Sequence, residues 1–297
     1  MMVNETTLVQ EKKAVQFLEE MKIELEKQYA SYVEYQKLAS KVFSVFHELC
    51  IKNDVPYYLA FGTLLGAVRD GGQIPWDYDI DVFVPFTQAQ RLLQVLDQQL
   101  PEEYYYDTRL KNKKCRHYSI KMAPKGYNCT ILHLDIFWLV GESADRKKQK
   151  QHRKIRDFFF NKFLYKYHDI GIKGEKTRPA RVAFYLKRIY YRLFPSWLVE
   201  HRYRKVISLP LKEGGWCSTS GGGEAAFCCS WFGKPKRVVL PSGQEVCLPE
   251  DSESILTSLF GDFHRFPPIR DRMEEFHNSL MRLEEFAKKE QYEQHTI

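Results

Sequence analysis

Asp79 and Asp81 stand two residues apart in Tyr78-Asp79-Ile80-Asp81-Val82-Phe83-Val84, a run that alternates with period two and stops at Pro85. On an extended strand residues i and i+2 share a face, so both carboxylates project the same way, with Cα atoms about 6.6 Å apart. Two ionised carboxylates at that distance repel by about 2–3 kcal/mol at an effective dielectric near 20. A cation relieves the repulsion, and magnesium, held by one or two carboxylates together with substrate phosphates, fits the pair. Asp135 lies in a second apolar run, Leu132-His133-Leu134-Asp135-Ile136-Phe137-Trp138-Leu139. If that strand pairs beside the first, three carboxylates gather, enough to hold two Mg²⁺ ions, or Mn²⁺ in their place, about 3.5–4 Å apart for in-line phosphoryl displacement. Upstream, Gly62-Thr63 falls at a strand-to-helix junction, where free backbone N–H groups favour a phosphate. Each residue also has a plainer reading: Asp135 as a paired core carboxylate, Gly62 as a packing glycine, Asp77 as a turn former or salt-bridge partner. In this order, however, they describe a phosphoryl-transfer site.

The elements that must position them follow from periodicity and turn residues. Apolar residues from Leu18 to Leu49 recur at helical spacing with no Pro or Gly between Lys12 and Asn53. So long a run predicts either a break near Tyr29 to Tyr35 or an N-terminal arm along the body. Tyr57–Phe61 reads as a short buried strand, and Thr87 to Leu100 as a helix with Thr87 as N-cap. Further strands are expected near Tyr104–Thr108, His117–Ala123 and Ile131–Val140. The chain closes with a hairpin (Arg237–Leu240 and Glu245–Leu248), a helix from about Pro249 to Phe260, and a charged helix after Pro267-Pro268. This pattern is an α+β fold with its strands in one cluster.

The chain has 297 residues and a net charge of +7, unevenly spread. Residues 146–205 hold 19 Lys/Arg against 4 Asp/Glu, leaving an excess of 8 acidic residues on the rest. The segment Asp145 to Lys205 is helical in pattern and carries 13 aromatic residues. Val182, Leu186, Ile189, Tyr190 and Leu193 fall on one helical face and Arg181, Arg188 and Arg192 on another. Basic amphipathic helices with aromatic residues suit an anionic headgroup layer, and no RNA module accompanies the charge. No apolar run is long enough for a membrane span. The N-terminus shows no export signal, so the expectation is a cytoplasmic protein, with the basic helices holding it peripherally at the inner face of the membrane. Seven cysteines at irregular spacing fit reduced thiols. Cys217, Cys228, Cys229 and Cys247 lack a C-x₂₋₄-C pair, so zinc and buried thiols both remain open for them.

The stretch Tyr57-Tyr58-Leu59-Ala60-Phe61-Gly62-Thr63-Leu64-Leu65-Gly66-Ala67-Val68-Arg69, continuing through Asp70-Gly71-Gly72-Gln73-Ile74-Pro75-Trp76-Asp77-Tyr78-Asp79-Ile80-Asp81, resembles the signature of the LicD/fukutin family, as does the distal Phe260-Gly261-Asp262-Phe263 followed by Pro267-Pro268. The resemblance implies a nucleotidyltransferase-like mixed sheet flanked by helices, with a basic helical insertion and a C-terminal helical part. It also implies transfer of a phospho-alcohol, commonly phosphocholine from CDP-choline, to a sugar of a surface glycan or glycolipid such as lipopolysaccharide or teichoic acid. Carried over by motif, Gly62 and Thr63 contact donor phosphate and Asp79 and Asp81 bind Mg²⁺. Asp135 joins the metals and is a candidate acceptor for the sugar hydroxyl's proton. Arg69 and Lys121 are further phosphate contacts, with a salt bridge from Arg69 to Asp77 or Asp79 and a solvated Lys121 as the alternatives. Trp76, Tyr57, Tyr58 and Trp138 are candidates for a quaternary-ammonium cage. Gly261-Asp262 shapes a helix end near the site or touches substrate. The family pattern has acidic or amide residues where Tyr78 stands and Pro-Leu-Asp where this chain has Trp138-Leu139-Val140, departures that bear on donor and acceptor identity.

The expectation is therefore an Mg²⁺-dependent phosphotransferase with a CDP-linked alcohol donor, a glycan or lipid-linked acceptor and an anionic membrane surface as partners. A transferase of the NMP group itself and an inactive glycan-assembly scaffold at the membrane are the alternatives. The parts are a helical arm (1–35), a catalytic core (36–144), a basic helical segment (145–206) and a C-terminal part (207–297).

Overall fold

The computed structural model describes residues 5–115, 117–127, 132–167, 178–221 and 226–280. Helix α1 runs unbroken from Glu5 to Lys52, so the expected break near Tyr29 to Tyr35 is absent; without Pro or Gly nothing interrupts its hydrogen-bond ladder. Tyr32, Tyr35, Ala39, Val42, Phe43, Phe46 and Leu49 are buried, at the three- and four-residue spacing of one helical face. The helix ends where Asp54 turns left-handed, with φ of 49°.

The strands that follow are β1 (Tyr58–Leu59), β2 (Ile80–Pro85), β3 (Tyr104–Asp107), β4 (Ile120–Pro124), β5 (Leu134–Glu142), β6 (Trp216–Thr219) and β7 (Ala226–Cys228). They form one seven-stranded mixed sheet in the order β1-β2-β5-β4-β3, with β6 pairing β5 and β7. Strands β2 and β5 are parallel, and the other pairs are antiparallel. The parallel pair forms the centre: Val82, Phe83, Val84, Leu134, Ile136, Trp138 and Leu139 are all buried. Alternation in β2 therefore holds only at its first residues, because a parallel pair covered on both faces buries both sets of side chains. Strand β4 starts later than expected, since His117 belongs to the preceding connection, where Arg109 N–H donates to His117 O at 2.8 Å.

Between β1 and β2, helix α2 (Phe61–Leu65) passes into a π-helical turn, Gly66–Asp70. A Cβ on Gly66 would meet Gly72 O at 2.4 Å, so this turn closes only on glycine. Helix α3 covers Ala89–Gln99. Thr87 is not its cap: Pro85 leads into a short 3₁₀ turn, Phe86–Gln88, and Gln88 precedes the helix without a side-chain cap bond.

The basic segment forms α4 (Arg146–Tyr167), α5 (Arg178–Arg192) and α6 (Ser196–Ile207). Phe184 of α5 faces α4, with its ring 5.1 Å from that of Tyr165. The apolar stripe read from the sequence instead faces outward, Val182, Leu186, Ile189 and Leu193 being 57–74% exposed. A separate hairpin of β8 (Lys236–Val239) and β9 (Glu245–Leu248) precedes α7 (Ser252–Phe260). Asp251 caps α7, accepting from Ser254 N–H at 3.0 Å, and residues 269–280 form a last described helix, α8. Among the described residues no helix is long and apolar enough to cross a membrane.

Candidate active site

The start of β2 is held by α2 and by the loop before it. Thr63 Oγ1 accepts a hydrogen bond from Asp81 N–H at 2.8 Å, and Ala60 N–H donates to Asp81 O at 2.9 Å. Gln36, reaching across from α1, donates to Ile74 O at 3.1 Å and Asp77 O at 2.9 Å. These bonds fix Asp77, Asp79 and Asp81 along one wall of an open cleft of about 380 Å³. Phe61, Gly62, Leu65, Ile74 and Trp76 continue that wall, and Leu259, Phe260, Pro267 and Glu275 also line the cleft. Phe61 sits at the β1–α2 junction with φ of 45°, a conformation that disfavours residues with a Cβ and is concentrated at functional sites. Gly62 has no room for a side chain, because a Cβ there would lie 2.3 Å from Asp77 Oδ2.

Asp81 and Asp135 are register partners in the parallel pair β2–β5. Lys121 is the register partner of Asp135 in β4, and Asp107 that of Lys121 in β3. One row of charged residues thus crosses four strands from the cleft to the sheet edge. Lys121 Nζ donates to Asp135 Oδ2 at 2.7 Å and lies 2.6 Å from His133 Nε2, which is itself 2.9 Å from the same oxygen.

Burial pushes the Asp81 carboxyl well up from its ordinary value, and the neighbouring charges of Asp79, Asp135 and Asp77 push further. Asp77 is raised to about 8, first by burial and then by Asp79. Asp135 goes the other way: burial acts to raise it, but the hydrogen bond with His133 and the charge of Lys121 outweigh burial and hold it low. Its Oδ1 is nevertheless buried without a hydrogen-bond partner, as is His133 Nδ1.

This donor set fits a hard divalent cation. Asp79 and Asp81 face the cleft, an orphaned acceptor oxygen stands on the adjacent strand, and the crowded carboxylates are in the state that a cation relieves. Among the described residues the carboxylates of Asp79, Asp81 and Asp135 do not all converge within 4.8 Å of one another. Asp135 is instead drawn toward Lys121 and His133.

The remaining expected residues divide. Arg69 lines the cleft, but its partner is Asp70, through two 2.8 Å bonds, rather than Asp77 or Asp79; its guanidinium also stacks 4.4 Å from the Phe266 ring. Trp76 lies on the cleft with the Arg272 guanidinium 5.4 Å from its ring. Tyr57, Tyr58 and Trp138 form no cage. They are buried, and their polar atoms are bonded to His47, to Gly233 O and to Tyr118 O. Asp262 is exposed just after Gly261, whose φ of 69° ends α7, and it is not part of the cleft wall. Cys217 and Cys229 are hydrogen-bonded neighbours, whereas Cys247 interacts with Tyr57. The residues that sequence reasoning passed over are His133, Glu275, Gln36 and Asp77 as a member of the acidic cluster. Only Asp77 carried a signal, its two-residue spacing from Asp79.

Residues 54–176 match the family model of the LicD/FKTN/FKRP nucleotidyltransferase domain. The chain is 26% identical over 258 residues to the lipopolysaccharide cholinephosphotransferase LicD of Haemophilus influenzae, an alignment that covers 80% of this chain and 93% of that protein. It is 46% identical over 52 residues to an uncharacterized protein of Rickettsia prowazekii, covering 18% of this chain and 20% of that one. With an uncharacterized protein of Rickettsia typhi it shares 44% identity over 119 residues, covering 40% and 34% respectively.

Proposed function

We propose, from the match of residues 54–176 to the LicD/FKTN/FKRP nucleotidyltransferase domain, that the chain is an Mg²⁺-dependent phosphotransferase that moves phosphocholine from CDP-choline to a sugar hydroxyl of a cell-surface glycan or glycolipid precursor. The observation that carries the reading is the acidic cleft, which Asp79 and Asp81 both line while Asp81 is paired in register with Asp135. Asp79 and Asp81 would hold the cation, with Asp135 Oδ1 available on the neighbouring strand. When bound, the ion neutralises the donor diphosphate and the departing CMP.

The acceptor oxygen attacks the phosphorus that bears choline. One O–P bond forms, the bridging P–O bond to CMP breaks, CMP leaves with the electron pair, and the hydroxyl proton goes to a base. Asp135, held low by His133 and Lys121, is a weak base for that step. Asp77 lines the cleft two residues from Asp79, within the same acidic wall, and is the carboxylate to which we assign that proton. Lys121 then acts by positioning Asp135, and Arg69, which lines the cleft with Asp70 as its partner, is the cationic side chain we assign to donor phosphate. Thr63 fixes the Asp81 backbone, and Gly62 gives Asp77 its place. Phe61, Phe260 and Glu275 line the cleft with Trp76, whose ring already meets the Arg272 guanidinium, aromatic and acidic side chains of the kind that attract a quaternary ammonium group. These features favour choline over a neutral polyol. Asp262, away from the cleft wall, acts through the α7 end.

The outward face of α5 supports docking on an anionic membrane surface. Val182 is 58%, Leu186 62% and Ile189 57% exposed, on the helix that also carries Arg181 and Arg192, so apolar insertion and charge attraction act on the same helix.

The test is product analysis with CDP-choline, Mg²⁺ and a glycan precursor. Release of CMP with phosphocholine on the acceptor is the expected result. CMP attached to the acceptor would make the protein a nucleotidyltransferase instead, and no turnover of any CDP-alcohol would remove the enzymatic reading.

A further inference from the structure

Beyond the cleft, the row of charged residues ends at the sheet edge on a second constellation. Asp107 closes β3, and the connection to β4 brings Cys115 and His117 back to it. A carboxylate oxygen, the thiol sulfur and an imidazole nitrogen all lie within 4.8 Å of one another, the one such trio among the described residues. We propose that Asp107, Cys115 and His117 bind a zinc ion, or another thiophilic divalent cation, at a site separate from the catalytic one.

Three observations carry this. Cys115 Sγ lies 3.3 Å from His117 Nε2, and a tetrahedral zinc with bonds of about 2.3 Å to sulfur and 2.0–2.1 Å to nitrogen sets those atoms roughly 3.5 Å apart. The other ring nitrogen, Nδ1, is 3.0 Å from Ser119 O. A proton held on Nδ1 by that carbonyl leaves the Nε2 lone pair directed at the sulfur and the carboxylate, the outer-shell arrangement that metal-ligating histidines use. Asn112 orients the carboxylate from the side, its Nδ2 lying 3.4 Å from Asp107 Oδ1.

The donor set of one thiolate, one imidazole and one carboxylate is softer than the all-aspartate cleft and selects zinc over magnesium. Asp107 stands three strands from Asp81 along the row, roughly 14 Å at the spacing of paired strands, so one ion cannot serve both sites. Three protein ligands leave a fourth position to water.

The site would act as a clip. Arg109 and Lys113, inside the loop that the ion closes, both reach Glu200 of α6, at 3.2 and 2.7 Å. Fastening Cys115 and His117 to Asp107 therefore fixes the connection that joins the sheet to the basic helices.

The test is titration of the chelator-treated full chain with Co²⁺. The expected result, with Mg²⁺ in excess to occupy the carboxylate cleft, is one thiolate-bound ion, read from a thiolate-to-cobalt charge-transfer band that Zn²⁺ abolishes. Cys115→Ser should remove the band, and His117→Gln and Asp107→Asn should each weaken uptake at least tenfold. Asp81→Asn and the pair Cys217→Ser, Cys229→Ser should leave it intact. Circular dichroism of each metal-free variant against the metal-free parent verifies the fold, and if Cys115→Ser does not fold, His117→Gln decides. Absence of a thiolate band, its survival in Cys115→Ser or unweakened uptake by His117→Gln, or its loss in the Cys217/Cys229 pair, would overturn the assignment.

Discussion

The acidic cleft and the basic helical layer use the same residue type in opposite ways. Where the helical layer meets the sheet, the buried carboxylates Glu200 of α6 and Glu142 of β5 are surrounded by cations and donors. Glu200 meets Arg109 at 3.2 Å, Lys113 at 2.7 Å, Arg204 at 3.0 Å and the Tyr118 hydroxyl at 2.8 Å. Burial acts to raise Glu200, but its hydrogen bonds with Lys113 and Tyr118 and the charge of Arg109 outweigh burial and bring it down to about 2. Glu142, with a side chain 1% exposed, is answered likewise by Arg156 at 2.9 Å and by His152. In the cleft, Asp77, Asp79 and Asp81 face one another, and burial together with like charge drives Asp77 and Asp81 upward. Asp135 stands between the two regimes, answered on one oxygen by Lys121 and His133 and unanswered on the other. The contrast teaches where stability is built and where it is withheld: unrelieved charge marks the place that waits for a cation and a phosphorylated ligand.

Substitutions at the two places should separate activity from stability. The largest expected effect is in the cleft: Asp79→Asn and Asp81→Asn should each lower transfer at least about 1,000-fold, roughly 4 kcal/mol of barrier. Thermal melting without Mg²⁺ should stay level or rise, because the change relieves like-charge repulsion. A large loss of melting temperature together with activity would erase the contrast.

Glu200→Gln should do the reverse. It leaves Arg109 and its neighbours without their counter-charge, at a cost of about 3 kcal/mol, with turnover per folded molecule little changed. The same residue sets a pH window. Its folded pKa of about 2 lies below the unfolded value of roughly 4.3, so its stabilisation is fully present above that value and is lost as pH falls toward 2. Acid unfolding curves should show this loss in the parent and not in Glu200→Gln; superimposable acid limbs would remove Glu200 from the account. The smallest effect is at the outward face of α5. Arg181→Ala should weaken binding to anionic vesicles by about 1 kcal/mol, near fivefold, and binding indifferent to salt and to this change would contradict docking by charge.

How much of this the sequence disclosed depends on the range of the contact. Period-two alternation around Ile80 exposed β2 and the shared face of Asp79 and Asp81, because that geometry is local to the strand. The pairing of Asp81 with Asp135 could be posed only as a condition, since register is decided by packing between segments 54 residues apart. Lys121 was visible as a strand residue, but its bond to Asp135 depends on the β4–β5 register, and the contribution of His133 on that same bond. Glu275 and Gln36 come from helices at opposite ends of the chain, and no short-range pattern points to the cleft from there. The aromatic residues show the limit from the other side: Tyr57, Tyr58 and Trp138 have the chemistry of a choline cage, and burial in the core removes them from it. The stripe on α5 has helical period, yet period does not say which face turns inward, and Phe184 rather than Leu186 packs against α4.

The most direct test of the cation-dependent cleft is calorimetric titration of CDP-choline into the protein with and without Mg²⁺, alongside Asp81→Asn. The account predicts binding that requires Mg²⁺ in the parent and is lost in the variant. Equal affinity with and without the ion, or unchanged binding in Asp81→Asn, would contradict it.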